Sequence, residues 1–352
     1  MKPALKKSVT LSDVARTAGV TSMTVSRVVN QTGYVSDETR EKVLRAVKEL
    51  NYRRNGLARG LKRQRTDTIG LVLGDIANPF AAELARSIRD ITTQHGYNLF
   101  ICISEHSAKE DVAAFDALAD HQVDGIIVAT RSNRMGDAHL HEMIERGVSV
   151  VCIGRDFYDE NADSVTADAL SGGFQATQHL VDLGHQKIAF IGATLTGGAN
   201  LKRFQGYLKA LEVNNLPIED RFITGNTNAS GDAPGYSTEK LGYEAMKRLL
   251  VLPNRPTAVF ARNDFTAIGA MNAIKESGFS IPNDVSLVGF DDIPMAIHTS
   301  PALTTVRQPT RFEGSLATEF LLRRIRAEET IEREETILEC ELIVRDSTRA
   351  PK

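Results

Sequence analysis

The hydrophobic pattern at the start of the chain is helical. Within the segment LSDVARTA, apolar residues recur at the spacing of one helix face, and Gly19 directly after it is typical of a C-terminal cap. The segment TSMTVSRVVN predicts a second helix, for which Thr21 is a good N-cap. Val25, Val28 and Val29 fall on one side of this helix and predict its buried face.

A third helix is predicted behind the first two. Gly33 breaks the chain after the second helix, and Ser36 can cap a helix that runs to about Leu50. Asp37 and Glu38 in its first turn are favourable near the positive end of a helix. Two short helices around a tight glycine turn, with a third behind them, predict a helix-turn-helix, whose second helix enters the major groove of DNA.

The outward face of the second helix predicts a DNA-reading surface. It carries Ser22, Met23, Ser26 and Arg27. Arg27 can donate two hydrogen bonds to guanine, the serines can bond base edges or phosphates, and Met23 can contact a thymine methyl group. The alternative is an ordinary solvated helix face, and the charge balance of the chain bears on that choice.

Charge divides the chain into two parts. The net charge is −3, yet residues 1–65 hold 15 Lys and Arg against 5 Asp and Glu, whereas the remaining residues hold 27 against 40. A basic segment joined to an acidic remainder is typical of a protein that meets a polyanion. A solvated basic tail is the alternative, and the helical periodicity of the segment argues against it.

From residue 69 onward the period of the apolar residues changes. Short runs that are almost continuously apolar and rich in Val and Ile are typical of buried parallel strands. The first four runs are IGLVLGD (69–75), YNLFICIS (97–104), DGIIVAT (124–130) and VSVVCIG (148–154). Helical patterns separate them, and the alternation continues to VSLVGFDD. Two successive series of βα units predict two doubly wound α/β lobes whose strand ends face one ligand-binding cleft.

Composition excludes several classes of protein. The chain is 42% hydrophobic and 25% charged, which is typical of a globular protein and excludes collagen-like or disordered chains. No apolar run reaches the roughly 18 residues of a membrane-spanning helix, and MKPALKKSVTLSDVA lacks the apolar core of a signal peptide. Three widely spaced cysteines predict no disulfide framework. We therefore expect a cytoplasmic protein.

The sequence contains no motif that predicts catalysis. It lacks GxGxxG after a strand, GxxxxGK[ST], GxSxG and HExxH. His139 and His141 are two positions apart, so they point to different sides of a helix and do not form a metal-ligand pair. We predict that the protein is not an enzyme and that it uses no cofactor and no metal.

Long segments of the chain resemble the LacI/GalR family of transcriptional regulators. The elements SDVA, AGV, TVSRVVN, VSxxTR and ELNY match its DNA-binding domain in order and spacing. NPF, LVDLGHQKIAFIGA, IPNDVSLVGFDD and SPALTTVRQP match its regulatory core, which is similar to a periplasmic sugar-binding protein. The resemblance covers residues 9–348. It implies a repressor that binds pseudo-palindromic double-stranded operator DNA as a homodimer at the bacterial nucleoid. An activator, or a repressor that needs a corepressor, stays open.

The resemblance also implies a hinge helix in the segment NGLARGLK, where Leu61 is the residue that enters the minor groove and kinks the duplex. Arg54 stands where the family usually has a proline, and Gly56 and Gly60 each cost a helix about 1 kcal/mol relative to Ala. We expect this helix to order mainly on DNA, and a flexible basic linker is the alternative. The predicted DNA-binding residues are Ser12, Thr21, Ser22, Met23, Thr24, Ser26, Arg27, Asn30, Tyr34, Asn55, Leu61 and Lys62.

Polar and aromatic residues near the predicted strand ends form the expected effector site. They are Asp75, Asn78, Phe80, Arg131, Arg155, Asp156, Arg203, Asn263, Asp264, Asp291 and Gln308. The resemblance implies that Arg203 holds ligand hydroxyls, whereas Asp264 has an alternative role as a helix cap. Gly154 stands where many family members carry an acidic residue. The loop 225–240 is longer than usual in the family and rich in Gly, Asn and Ser, so we expect it to be mobile and to alter access to the cleft.

The charge of the effector is left with two alternatives. Arg131, Arg155 and Arg203 all map to the presumed cleft of an otherwise acidic domain. If the aspartates of the site neutralise these arginines, the ligand is a neutral sugar. If they do not, the ligand supplies the anion, as a sugar acid or sugar phosphate does.

The predicted architecture is an all-α helix-turn-helix domain at 1–54, a hinge helix or linker at 55–67 and an α/β periplasmic-binding-protein-like core at 68–352. The first lobe takes about 68–168 plus 308–337, and the second takes about 169–307 plus 338–348. No leucine heptad follows Asp346, which favours a dimer. The rival from another class is a solute-binding protein for transport, which the helix-turn-helix and the missing signal peptide argue against.

Overall fold

The computed structural model describes residues 9–52, 65–105, 107–130, 133–193, 198–225 and 238–352. The chain forms two compact units, Met1–Thr66 and Asp67–Lys352. Arg131, the predicted hinge contacts Asn55, Leu61 and Lys62, and most of the loop 225–240 lie outside the described residues.

Within residues 9–52, the first unit contains three helices: α1 (Leu11–Ala18), α2 (Ser22–Asn30) and α3 (Asp37–Glu49). Local sequence explains their ends. A capping box between Thr10 and Asp13 begins α1, and Gly19 ends it with a φ of 66° that glycine adopts without strain. Thr21 begins α2 by accepting a hydrogen bond from the backbone of Thr24. Ser36 precedes α3, although its hydroxyl bonds Thr39 instead of a backbone amide.

The three helices enclose one small apolar core. Its buried members are Val14, Ala15, Val25, Val28, Val29, Val43 and Ala46. The predicted valine stripe of α2 therefore faces inward, and the opposite side of α2 faces solvent.

The described residues of the second unit form two six-stranded sheets. The first sheet has the order β11-β5-β4-β3-β1-β2 and all its strands are parallel. Its strands are β1 (Thr68–Leu73), β2 (Asn98–Ile103), β3 (Gly125–Ala129), β4 (Ser149–Ile153), β5 (Ala162–Ala167) and β11 (Glu335–Leu338). The helices associated with it are α4 (Pro79–Gln94), α5 (Ala108–Asp120), α6 (Arg134–Glu145) and α11 (Thr310–Arg326). Leu71 packs with α4 and α11 on one face, and Val72 packs with α5 and α6 on the other.

The second sheet has the order β12-β10-β9-β8-β6-β7, in which β12 is antiparallel to β10 and the other pairs are parallel. Its strands are β6 (Ile188–Ala193), β7 (Ile223–Gly225), β8 (Ala258–Ala261), β9 (Ser286–Asp291), β10 (Thr304–Arg307) and β12 (Glu341–Ile343). Its helices are α7 (Ala169–Asp182), α8 (Ala199–Val213), α9 (Thr238–Leu250) and α10 (Asp264–Glu276). Helices thus cover both faces of this sheet as well.

The chain passes between the two sheets three times. It crosses after β5 at Asp168, after β10 at Gln308 and Pro309, and between β11 and β12. The backbone amide of Asp168 donates to the carbonyl of Leu338 at 2.7 Å, which joins two of the crossings. Each lobe is therefore assembled from separate parts of the sequence.

The strand β2 differs from the sequence prediction. The run YNLFICIS predicted a strand buried on both faces, but Phe100 is 46% exposed, and Ile101 and Ile103 are also exposed. The prediction was wrong because, in the part of the chain that the structure describes, β2 is the last strand of its sheet and pairs with β1 alone. An apolar run predicts that a strand is covered, but it does not show whether the same chain or another molecule covers it.

Candidate functional site

The outer face of α2 presents polar side chains to solvent. Ser22, Met23, Arg27 and Asn30 are exposed, and Met23 has 66% of its surface accessible. Asn30 donates from Nδ2 to the hydroxyl of Ser26 at 3.1 Å, so two members of this face hold each other in place. The face lies on one side of the helix because these positions are separated by one, three or four residues.

The side chain of Arg27 is exposed to solvent. Two ion pairs occur within residues 9–52, Arg16 with Asp13 and Lys42 with Glu38, and neither includes Arg27. The side chain of Arg27 lies beside Gly33, since a Cβ placed there would be 3.7 Å from Arg27 Cδ. An exposed guanidinium beside short polar side chains has the donors that base edges and phosphates accept.

The remaining predicted DNA-binding residues of this unit fall into two groups. Ser12 and Tyr34 are exposed, and Tyr34 has 91% of its surface accessible. Thr21 and Thr24 take part in the cap of α2, where their hydroxyl oxygens are 2.9 Å apart. Their local role is therefore to begin the helix that carries the exposed face.

In the second unit, the segment after β1 begins α4 and lies between the lobes. Asn78 caps α4 by accepting from the amide of Phe80 at 3.0 Å, and Asp75 accepts from the amide of Ala77 at 2.8 Å. Phe80 packs against the apolar cores of both lobes. This places an aromatic face at the junction of the lobes.

Arg155 is buried in the first lobe and is fully engaged there. Its Nη2 and Nε atoms donate to Asp137 at 2.6 and 3.1 Å, and its Nη1 donates to the hydroxyl of Thr130 at 2.7 Å. Asp111 lies 4.0 Å from Nη1, and burial raises the pKa of its carboxyl against the opposing effect of Arg155. Arg155 thus completes a polar cluster inside this lobe.

Asp156 connects the two lobes. It follows β4 of the first lobe and accepts from the backbone amide of Gly198, next to the start of α8. Lys202 of α8 lies 3.1 Å from its other oxygen. Burial acts in the opposite direction, but these two donors lower the pKa of Asp156. The carboxylate therefore stays ionised at the lobe junction.

Arg203, Asp291 and Gln308 form one buried cluster. Arg203 Nη2 lies 3.3 Å from Asp291 Oδ1, and its guanidinium stacks 3.9 Å from the ring centre of Phe290. Gln308 donates from Nε2 to the same Asp291 oxygen at 2.7 Å. Burial raises the pKa of Asp291 to about 6, against the opposing effects of Arg203 and Gln308. Asp291 has a φ of 110°, a strained conformation that is concentrated at functional sites.

Asn263 and Asp264 support the backbone beside this cluster. Asn263 is the N-cap of α10 and accepts from the amide of Thr266 at 2.9 Å. Asp264 does not cap the helix: its oxygens accept from the amide of Ile293 at 2.8 Å and from the hydroxyl of Thr305 at 2.5 Å. Burial raises the pKa of Asp264 well above its ordinary value, with Asp291 adding to the effect.

Sequence reasoning missed Glu313, which lies in the first turn of α11. It is 98% buried, and its Oε2 atom has no hydrogen-bond partner. Burial raises its pKa to about 8, against the opposing effects of the Ala167 backbone amide and Arg203. Within the sequence TRFEGS, Glu313 resembles an exposed acidic residue at the start of a helix. No local signal distinguishes a buried glutamate from an exposed one at this position.

The structure thus brings together part of the predicted effector set. Phe80, Asp156, Arg203, Asp291 and Gln308 lie at or near the lobe junction, with Glu313 as an addition. Asp75, Asn78, Arg155, Asn263 and Asp264 make the local bonds described above. Among the described residues, no group of His, Cys, Asp or Glu side chains could hold a metal ion, and no helix is long and apolar enough to cross a membrane.

Two family models match the chain. Residues 10–55 match the model of bacterial regulatory proteins of the lacI family, and residues 177–348 match a periplasmic binding protein-like domain.

Individual relatives are similar along nearly the whole chain. The HTH-type transcriptional repressor PurR of Histophilus somni (strain 129Pt) is 35% identical over 97% of this chain and 99% of its own length. A solved lac repressor dimer bound to operator and the anti-inducer ONPF is 30% identical, with a TM-score of 0.83 over 98% of this chain and 100% of its own. A complex of the transcriptional regulator CelR with cellobiose is 33% identical, with a TM-score of 0.70 over 96% of this chain and 99% of its own.

Proposed function

The chain belongs to the lacI family of bacterial regulatory proteins, and we propose that it represses transcription by binding a pseudo-palindromic operator as a homodimer. The proposal includes control of this binding by a neutral sugar-like effector. Transcriptional regulation, as opposed to catalysis, is the activity that its relatives are named for. The observation that carries the proposal is the outer face of α2, where Arg27 reaches solvent without an ion pair in residues 9–52.

The DNA contacts are divided between α2 and the linker. In a helix-turn-helix the second helix reads base edges with its N-terminal residues, and two copies read half-sites about one helical turn apart. Ser22, Met23, Ser26, Arg27 and Asn30 are the base-reading and phosphate-binding set, with Ser12, Thr21, Thr24 and Tyr34 beside them. Asn55, Leu61 and Lys62 of the linker add contacts outside α2, with Leu61 as the minor-groove residue.

The homodimer forms through the open edge of the first sheet. Phe100, Ile101 and Ile103 expose apolar side chains on β2, and an open apolar edge is a template for pairing with another chain. A second copy of this chain is the occupant that a palindromic DNA site requires. The lac repressor in the compared structure is a dimer bound to operator.

The effector binds between the lobes of residues 68–352, and the linker 55–67 transmits its effect to the DNA-binding residues 1–54. Phe80 offers an apolar face to a sugar ring, and Arg203, Asp291 and Gln308 offer hydrogen-bonding groups. Arg155 and Arg203 already have carboxylate partners, which favours a neutral sugar over a sugar acid or phosphate. CelR, the regulator in the compared complex, binds cellobiose, which is a neutral sugar.

The site of action follows from the target. Because operator DNA is the ligand of the first unit, we place the protein in the cytoplasm, at the nucleoid. The wild-type homodimer covers two half-sites there, and effector binding changes the angle between the lobes of each copy.

Selection from random-sequence duplexes followed by titration tests the proposed function. The expected product is a pseudo-palindrome that the full-length protein binds at least about 10³-fold more tightly than scrambled DNA at fixed salt. Neutral sugars are then added, and one of them is expected to weaken operator binding about 5- to 150-fold. Equal affinity for selected and scrambled duplexes would contradict operator recognition, and tighter binding with sugar would assign a corepressor.

A further inference from the structure

Two polar atoms at the lobe junction are buried without a hydrogen-bond partner. They are Oε2 of Glu313 and Nε of Arg203, in side chains that are 98% and 94% buried. Buried polar atoms in native proteins are nearly always satisfied, and each exception needs an explanation. Leaving such atoms unpaired lowers stability, so a bound partner that pairs them would stabilise this region.

The two atoms belong to different lobes and have complementary hydrogen-bonding roles. Glu313 lies on α11, which packs on the first sheet, and Arg203 lies on α8, which packs on the second. The two groups are close enough to interact electrostatically. A guanidinium Nε can only donate, whereas a carboxyl oxygen can accept. A ligand hydroxyl group that reaches both side chains can therefore accept from one and donate to the other.

The charges around these atoms favour an uncharged ligand. Arg203 supplies one positive charge, but Asp291 lies against it and Glu313 is electrostatically coupled to both. Asp291 already balances the arginine, and Glu313, whose pKa is raised to about 8, adds no charge near neutral pH, so no uncompensated positive charge is left for a carboxylate or phosphate on the ligand. A hydroxyl group carries no charge and both donates and accepts, so it satisfies a buried acid and a guanidinium with no added charge.

We propose that Glu313 is a specificity-determining residue of the effector site, where it hydrogen-bonds a hydroxyl group of a neutral polyhydroxy ligand, opposite Arg203. This inference rests on the proposed function, because it presumes that the effector binds between the lobes. It assigns a binding role to a residue on the helix that follows the second lobe crossing. It also explains why a polar side chain with an unpaired oxygen occupies a position where an apolar side chain would pack.

Two substitutions at this position separate shape from hydrogen bonding. Glu313→Gln keeps a donor and an acceptor of similar size, whereas Glu313→Leu removes both. Thermal shift and calorimetry of the full-length protein use cellobiose, D-glucose and D-ribose as neutral probes. D-gluconate, D-glucose 6-phosphate and adenine are the charged and purine probes. At least one neutral probe is expected to bind wild type, to bind Glu313→Gln within about threefold, and to bind Glu313→Leu about 10- to 100-fold more weakly.

A second readout needs no ligand. Because an unsatisfied buried oxygen is removed, Glu313→Leu is expected to raise the melting temperature of the ligand-free protein by about 2–4 °C. Asp163 is the matched control: it is fully buried but accepts from Arg324 at 2.6 and 2.7 Å and from the Glu334 amide at 2.7 Å. Asp163→Asn is expected to lower the melting temperature and to leave the preference among the probes unchanged.

Several results would overturn the proposal. They are equal affinity of wild type and Glu313→Leu for the bound probe, binding of only the anionic probes or adenine, no response to any neutral probe, and a lower melting temperature for Glu313→Leu. None of these affects the operator titration, so operator recognition by the homodimer stands if selected duplexes are still bound specifically, whatever the effector. Loss of operator specificity with intact binding of a neutral probe would instead contradict the proposed function and leave Glu313 in its role.

Discussion

The outer face of α2 and the polar cluster between the lobes are organised in opposite ways. On α2 the polar side chains face solvent, and Arg27 has no ion pair within residues 9–52. Between the lobes the polar side chains are buried, and Arg203 already pairs with Asp291. In the proposed function, the first surface binds a partner that carries its own charge, whereas the second has its charges balanced before a ligand binds.

This difference separates recognition from stability. Removing an exposed, unpaired side chain changes little in the folded protein, so its loss is felt in binding. Removing one member of a buried pair leaves the other charge without a partner, so its loss is felt in folding. Substitutions in the two regions test whether the separation holds.

The largest effect is expected at Arg155. Arg155→Met leaves the buried Asp111 and the half-buried Asp137 without their cation and is expected to lower the free energy of unfolding by about 3–5 kcal/mol. Arg146→Met is the control, because Arg146 and Glu142 form an exposed pair that contributes about 0–1 kcal/mol. Denaturant titration of both proteins measures the difference. Losses of similar size would show that burial does not set the energetics of the Arg155 cluster.

A smaller effect is expected from pH. The pKa of Glu313 is about 8 in the folded protein, against an ordinary value of 4.5, so the folded state holds the proton more tightly than the unfolded state. Its contribution to stability is full below about pH 4.5 and is lost as pH rises to about 8. Arg203 and Asp291 face this carboxyl, and Asp291, with a pKa of about 6, acts in the same direction at lower pH.

We therefore expect the free energy of unfolding of wild type to fall by about 2–4 kcal/mol more than that of Glu313→Gln between pH 5 and pH 8. Denaturant titrations at intervals across this range measure it. If the free energy of unfolding varies with pH in the same way for both proteins, Glu313 is ionised in the folded state. That result would contradict the contrast with the solvated α2 face.

The smallest effect on folding is expected at Arg27. Arg27→Ala is expected to change the stability of the first unit by less than about 0.5 kcal/mol, while weakening discrimination at one base pair of each half-site by about 1–3 kcal/mol. Titration against operator and scrambled duplexes checks this. Arg27→Lys keeps the charge and loses the two-pronged donor, so it should bind scrambled DNA normally. Equal weakening of Arg27→Ala on both duplexes would reduce Arg27 to a phosphate contact.

Local signals in the sequence were sufficient for the first unit and for the alternation of strands and helices. Gly19 and Thr21 act where they stand, and the valines of α2 are spaced by the helix itself. The two-sheet α/β fold followed from apolar runs for the same reason. The exposure of β2 did not, because its place at the end of the sheet depends on which strands pair.

The proposed effector site was less predictable because its pairs are distant in sequence. The sequence suggested Asp75, Asp156 and Asp291 as partners for the arginines. Of the two arginines that the structure describes, Arg155 pairs with Asp137 on α6 and Arg203 pairs with Asp291. The sequence did not predict the burial of Glu313, because this burial depends on the return of the chain to the first lobe. Loop packing and lobe crossings decide these contacts, and neither has a signature in a single sequence.

The three crossings between the sheets also bear on the order in which the protein can form during synthesis. β11 and α11 belong to the first sheet, and Ala317, Phe320 and Leu321 of α11 complete its core. A ribosome makes these residues after the strands β6 to β10 of the second sheet. The first lobe therefore cannot complete its core until α11 and β11 have been synthesised. One face of its sheet stays uncovered until then.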